Sequence, residues 1–472
     1  MSSVNKLLAP IVCAILISAL YSCGGGGDSQ VAEGGIGGTG VTQGRVSGFG
    51  SIFVNGIEYE TDNASFTVND SDGTQDDLAI GMVVRINGSN DQTNATGEAL
   101  SVEYDSLIEG VIDSNDVAAA NTLTIMNQTI SINQDTVFEN PIDATPLAEL
   151  PVNSVVEVSG FTDGSGDILA TRIAVESLAW TGDFLEVSGI VINISGTQFQ
   201  IGSLVIEAAN ALPIPPEGTN VEVKGNSFSG TVFEADSIKI EGNGTTLVAD
   251  DGDEVKIEGR ITTALDSQNL FALNGQLVDA SATIYNGQTA LLTVSRVAEV
   301  DGVMEGSILI AETIKLSAEA SEKGGLSSVL GVGDVDTTAR TITLLGQTIL
   351  INNSTIMAND LDHESSFTLS QLEAADYVEA KVYSDNGVLI ASKLELDESP
   401  RNYTAKVEGT PEFIDNNTIR VFGVIVDISG VDYNFDDDHD DDHDDDHDDD
   451  QDHDHDGDGD GDGNIEVSGD FI

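Results

Sequence analysis

Residues 121–133, NTLTIMNQTISIN, alternate apolar and polar side chains on either side of a Met-Asn pair. At a period of two residues, Leu123 and Ile125 share one face, as do Ile130 and Ile132, so the stretch predicts a hairpin with one buried side. The pattern returns in TQFQIGSLVIEA (197–208), NLFALNGQLVDA (269–280) and RTITLLGQTILIN (340–352). Before each hairpin stands Val or Ile, any residue, then Gly: Val46–Gly48, Ile108–Gly110, Val187–Gly189, Ile257–Gly259, Val329–Gly331 and Val407–Gly409. After it comes a strand ending in Gly, as in VVRING (83–88), VVEVSG (155–160) and NVEVKG (220–225), and then a last strand such as GDILATRIAVES (166–177). A short helical segment separates the third and fourth strands, as in DDLAIG (76–81), TPLAELPVNS (145–154) and TLSQLEAAD (368–376).

Five strands with a helical turn between the third and fourth predict an all-β chain: a tandem array of about six small five-stranded OB-like barrels, with β-sandwich repeats as the alternative. The units fall at 44–105, 106–180, 183–242, 254–317, 326–399 and an incomplete 402–472. Barrels with their own cores predict a beaded or stacked rod rather than one globule. The fourth unit departs most, with LLTVSRV (291–297) where the others carry the Val-Glu-Val-x-Gly strand.

The N-terminus has a different pattern. Lys6 precedes an apolar run, Leu7–Leu20, that is short for a membrane span and reads as a signal peptide over 1–22. LYSC (20–23) resembles a bacterial lipobox, which implies cleavage before Cys23 and lipidation of its thiol, with the membrane as partner through that anchor. Gly24 in the next position, by analogy with enteric lipoproteins, favours the outer membrane. Residues 23–43 are a Gly-rich tether reaching roughly 25 Å. Gly35, Gly37 and Gly40 match a nucleotide-binding glycine spacing, but no strand pattern precedes them and no helix pattern follows.

GGIGGTG leading into GRVSGFGSIFVNGIEYET, followed by repeated V-x-G and VEVxG elements, resembles the bacterial repeat lipoproteins of domain-of-unknown-function family 5666. The resemblance implies an envelope-located repeat protein and brings no catalytic residues with it.

Charge narrows the function classes. The chain has 82 acidic and 17 basic residues, a formal charge of −65. Such a polyanion opposes nucleic acid and points to divalent cations as counterparts. An enzyme is not expected: five of the six histidines lie in one Asp/His run, and no nucleophile elbow, zincin motif or P-loop occurs.

That run, FDDDHDDDHDDDHDDDQDHDHDGDGDGDGN (435–464), is an insertion rather than a tail. AKVEGTPEFIDNNTIRVFGVIVDISG precedes it as the opening of unit six, and NIEVSG follows it as the fourth strand. The fifth strand is then missing, which a truncated gene model or a strand borrowed from a neighbour explains. Doubling a loop's length costs only about 0.6 kcal/mol in closure entropy, so the loop at 436–462 is tolerated there. Asp436, His439, His443, His447, His453 and His455 combine imidazole with carboxylate, a donor set for zinc. Asp454, Asp456, Asp458, Asp460 and Asp462 alternate mostly with Gly, a bendable set of hard oxygens for calcium. The plainer reading is a solvated, low-complexity loop that condenses counterions. No cofactor is certain, calcium or zinc being the candidates, and the protein partner is unknown. The acidic loops carrying Asp70, Asp72, Asp76 and Asp77, and Asp360, Asp362, His363 and Glu364, read as polar turns.

Overall fold

The computed structural model describes residues 40–91, 94–142, 145–163, 166–242, 247, 249–285, 291–317, 323–328, 331–359, 367–385, 387–396, 405–415, 417–429 and 465–469. All fall within one compact unit, Gly37–Ile472.

Repeat 2 shows how each barrel closes. Its strands are Ile108–Asp116, Thr122–Ile125, Gln128–Ser131, Val155–Thr162 and Ile168–Ser177. The first pairs antiparallel with the second, and the second with the third. The third lies parallel to the fifth, the fifth antiparallel to the fourth, and the fourth returns antiparallel to the first. The order one-two-three-five-four-one is a closed Greek-key barrel, the OB-like arrangement, and β-sandwich repeats are not what forms. Repeats 1, 3 and 4 close through the same pairings, and in repeat 3 the last strand is broken into Val232–Glu234 and Ser237–Gly242. In repeat 5 the opening strand is Lys323–Ser328, and Val335–Asp336 pairs with the second strand. Outside repeat 3, where Gly202 alone does so, the turns between second and third strands take positive φ at two successive residues, as in Asn55-Gly56, Asn274-Gly275 and Leu345-Gly346, which matches strand twist in two-residue hairpins. Between third and fourth strands, repeats 1, 2 and 5 carry a short strand parallel to the fifth, Ser65–Val68, Val137–Glu139 or Ile356–Asn359, and then one 3-10 turn, Gln75–Asp77, Leu147–Glu149 or Leu369–Gln371, delivering Leu78, Leu150 or Leu372 to the buried interior.

Registers correct three sequence assignments. Gly44 pairs with Val84 as Gly110 pairs with Val156, so the opening glycine of repeat 1 is Gly44 and not Gly48. Leu326 faces Ala380 as Ile108 faces Val158, which places Ser328, not Gly331, in that position of repeat 5. The fourth strand of repeat 4 is Val297–Glu305, whose AEVDG (298–302) fills the place that LLTVSRV was expected to replace. The opening strand of repeat 1 begins at Gly40, inside the segment read as tether.

The barrels do not follow one another as beads. In repeats 1 to 4 the opening strand is long and bent, its first half pairing with strand four and its second half with strand two, while in repeats 5 and 6 two separate strands share these roles. The far edge of the first half is therefore open, and another barrel fills it. Gly40–Gln43 of repeat 1 pairs parallel with Glu254–Ile257 of repeat 4. Ile108 and Glu109 of repeat 2 pair antiparallel with Val187 and Glu186 of repeat 3. Gly325–Ser328 of repeat 5 pairs antiparallel with Glu408–Ala405 of repeat 6. Buried apolar side chains divide accordingly. Repeats 2 and 3 share one core, repeats 5 and 6 another, and Val41 of repeat 1 joins the core of repeat 4. Val137 of repeat 2 and Ile356 of repeat 5 both enter the core of repeat 1.

Repeat 6 is opened by Ala405–Gly409, which pairs with Ile465–Gly469 as first and fourth strands pair elsewhere. Its hairpin, Thr418–Val421 with Val424–Asp427, forms a separate small sheet with Glu412–Asp415. Among the described residues, nothing pairs with the far edge of Val424–Asp427.

The glycine that ends the fourth strand has a steric reason. A register shift beside it brings strand five so close that a Cβ on Gly160 would lie 2.2 Å from the Leu169 carbonyl oxygen. Gly88, Gly225 and Gly302 meet Glu98, Glu234 and Ile310 in the same way. Gly160→Ala is therefore expected to destabilise the protein by about 1–3 kcal/mol, an overpacking cost, read from the urea unfolding midpoint.

Candidate functional site

The described residues bring charged side chains together at the joins between barrels. At the repeat 1–4 seam, Lys256 is 4% exposed at its side chain, and its Nζ lies 2.7 Å from Glu299 Oε1 and 2.9 Å from Asp301 Oδ1. Thr313 Oγ1 donates to Asp301 Oδ2 at 2.8 Å. One residue pair along the strands, Arg45 Nη2 donates to Glu258 Oε1 at 2.7 Å. Burial opposes the charge on Lys256, but the flanking carboxylates of Glu299 and Asp301 prevail and raise its pKa. This is a sheet-crossing ion network with both signs satisfied.

Beside it lies a cavity of about 450 Å³ at the junction of repeats 1, 2, 4 and 5. Arg45 and Asn55, Asp135, Glu258 and Glu299, and Tyr383 and Asp385 supply its polar wall, with Leu292, Ile314 and Ile356 as apolar wall. Arg45 is bound to Glu258, and Lys315, also on the wall, to Glu299 at 2.8 Å. Arg296, the third cation on the wall, donates from Nη2 to the Ser317 carbonyl at 2.9 Å. None of the six histidines and neither cysteine lies among the described residues, so no nucleophile–imidazole pair can be read at this wall.

A third cluster joins repeats 1 and 3. Asp70, Glu222 and Glu241 place carboxylate oxygens within 4.8 Å of one another, a spacing that could hold a metal ion. Two lysines occupy that space. Lys224 Nζ contacts Glu222 at 2.8 Å, Glu186 at 3.1 Å and Asp70 at 3.2 Å, and Lys239 contacts Glu241 at 2.7 Å and also Asp70. Partial burial disfavours the Asp70 carboxylate, yet hydrogen bonds from Lys239 and Lys224 hold its pKa below the ordinary range. Asp70 is therefore an inter-barrel ion partner rather than a polar turn residue. Asp77 accepts from Thr74 N and Oγ1, capping its 3-10 turn.

The metal-ligand candidates Asp436, His439, His443, His447, His453, Asp454, His455, Asp456, Asp458, Asp460 and Asp462, together with Cys23 and the acidic loop at 360–364, lie outside the described residues. What is described is the frame of the Asp/His run: it leaves after Val424–Asp427 and returns at Ile465–Gly469, between the third and fourth strands of repeat 6. Sequence reasoning missed Lys256, Glu299 and Asp301. Alternation with Val255, Ile257, Ala298 and Val300 puts them on the polar face, expected to be solvated, so no local signal marked them.

These features define an array of closed five-stranded barrels joined by shared sheets and ion networks. A family model described as "Domain of unknown function (DUF5666)" matches residues 40–103, 109–174, 258–315 and 332–395. The chain belongs to that family. The matches fall on repeats 1, 2, 4 and 5, including the fourth unit with its displaced VEVxG-like strand. No curated protein matches the chain.

Lys256→Met is expected to cost about 3–5 kcal/mol, because Glu299 and the buried Asp301 lose their shared cation. A pKa raised in the folded state gives stability that is complete below the unfolded lysine value and is lost as pH rises through the folded one. Urea unfolding should therefore show the wild-type advantage near neutrality and its decline only at strongly alkaline pH.

Proposed function

We propose that the protein is a non-catalytic scaffold of the bacterial cell envelope: a stiff array of barrels held to the membrane by a lipid on Cys23 and a Gly-rich leash. The observation that carries this reading is the continuity of strand pairing between barrels, with Gly40 of the first barrel hydrogen-bonded into the sheet of the fourth. Paired edges resist bending, as a spacer or adhesive support requires, whereas flexible linkers between barrels would not. The lipobox-like LYSC supports an anchored location, with the outer membrane as its address. The polyanionic surface favours divalent cations and basic protein partners over nucleic acid. Cys23→Ser is expected to abolish incorporation of labelled fatty acid and to move the protein from the membrane to the soluble fraction. Retention of label would remove the anchor from the account.

A second reading, cation binding or sensing, is favoured by the frame of the Asp/His run. Described strands flank it, Val424–Asp427 before and Ile465–Gly469 after. Its donors suit calcium through the Asp-Gly segment and zinc through the histidines. Deleting 436–462 is expected to leave the thermal midpoint in chelator unchanged and to remove most calcium binding in calorimetry. Zinc affinity should fall as pH approaches about 6, where protons compete for imidazole. Unchanged metal stoichiometry after the deletion would reject the loop as the binding element.

A further inference from the structure

Repeats 2 and 3 join through an unfavourable row of side chains. Across the shared sheet the register runs Glu157↔Glu109, Glu109↔Glu186 and Glu186↔Lys224, so three glutamates stand side by side on one face before a lysine is reached. Directly opposed like charges on neighbouring strands repel. Glu157 has neutral help, since Tyr104 OH donates to its Oε1 at 2.8 Å and Asn69 Nδ2 to its Oε2 at 3.0 Å. Glu186 has little. Its side chain is 9% exposed, Oε2 faces Lys224, and Oε1 is buried with no hydrogen-bond partner. Lys224 cannot serve the row alone, because it also contacts Glu222 and Asp70. The remaining charges packed around the seam are Glu176 on the last strand of repeat 2, with Arg172 near it, and Lys239, which is paired with Asp70 and Glu241.

Repeats 5 and 6 are built in the same register and omit the conflict. There the register places Glu379, Ser327, Lys406 and Ser468 at the equivalent positions. The ladder in that pair extends from Gly325–Glu408 to Ser328–Ala405, whereas the repeat 2–3 ladder is confined to Ile108–Val187 and Glu109–Glu186. The glutamate pair is therefore not a requirement of the joint, since the same joint forms without it.

We propose that the seam between repeats 2 and 3 is held by protonation of the Glu109–Glu186 pair and loosens when both carboxyls ionise. Two neutral carboxyls, or one neutral and one ionised, can hydrogen-bond across the strands, while two carboxylates at a buried joint with one overcommitted lysine cannot. Burial, followed by the carboxylates of Glu176 and Glu157, raises Glu109 to about 7. Burial, followed by Glu222, does the same for Glu186, to about 7. The sign follows: the folded state binds these protons more tightly than the unfolded chain, so the contribution to stability is full below the ordinary glutamate range and is lost as pH rises through about 7.

Thermal unfolding of the full chain and of Glu109→Gln at two pH values tests this. At about pH 5, where the wild-type pair holds its protons, the two midpoints should agree. At about pH 8.5 the Gln variant should melt higher, because an amide beside Glu186 removes the repulsion and keeps a donor. Equal differences at both pH values, or a lower midpoint of the variant at the higher pH, would overturn the proposal. Hydrogen exchange of the wild type gives a second reading independent of the variant. Corrected for intrinsic rates, protection at 107–109 and 186–188 should fall between these pH values relative to 325–328 and 405–408. Parallel behaviour of the two seams would also overturn it.

Discussion

The structure depends on an edge. A small barrel whose first strand is bent must divide that strand between two partners, and the half that meets strand four has backbone groups facing outward. An open edge of this kind recruits any strand of the right length, and proteins cover or pair it. Here the repeats cover one another: 1 with 4, 2 with 3, and 5 with 6. Sheet continuity, the shared cores and the ion networks all follow from that choice. Val41 reaches the core of repeat 4 because Gly40–Gln43 lies in its sheet, and Lys256 meets Thr42 in register for the same reason.

Two of the three joints are built alike and the third differs. Repeats 2–3 and 5–6 pair antiparallel with equivalent residues opposed, while repeats 1–4 pair parallel. Sequence neighbours thus make two of the seams, and the remaining one closes across more than 200 positions, from Gly40 to Glu254. Long-range pairing is entropically harder to reach, and the buried Lys256 network sits at that seam. The ion pair that crosses the seam, Arg45 with Glu258, makes a wrong register costly, since a slipped strand would separate the two.

Much of each barrel was legible locally. Leu123, Ile125 and Ile130 alternate with polar residues, and turns such as Asn274-Gly275 carry the residue types that positive φ requires. The placement of Ile465–Gly469 as a fourth strand was also legible, because its Ile-Glu-Val-Ser-Gly repeats the earlier strand. What failed did so for identifiable reasons. Val46-Ser47-Gly48 mimics the opening motif four residues beyond the true position, and repeat 5 puts Ser328 where other barrels have glycine. AEVDG went unrecognised because its first residue is alanine. Which barrel pairs with which has no local signature, since every opening strand presents the same kind of edge. The charged pairs between barrels, Asp70 with Lys239 or Arg45 with Glu258, become visible only after that choice is made.

The central claim is that repeat 1 depends on repeat 4 rather than on its sequence neighbour alone. Hydrogen exchange of a chain lacking 254–317 tests it most directly. Protection over 40–48 and 83–91 should be lost, while 108–242, whose seam is intact, keeps its protection. Undiminished protection of 40–48 in that deletion would contradict the account.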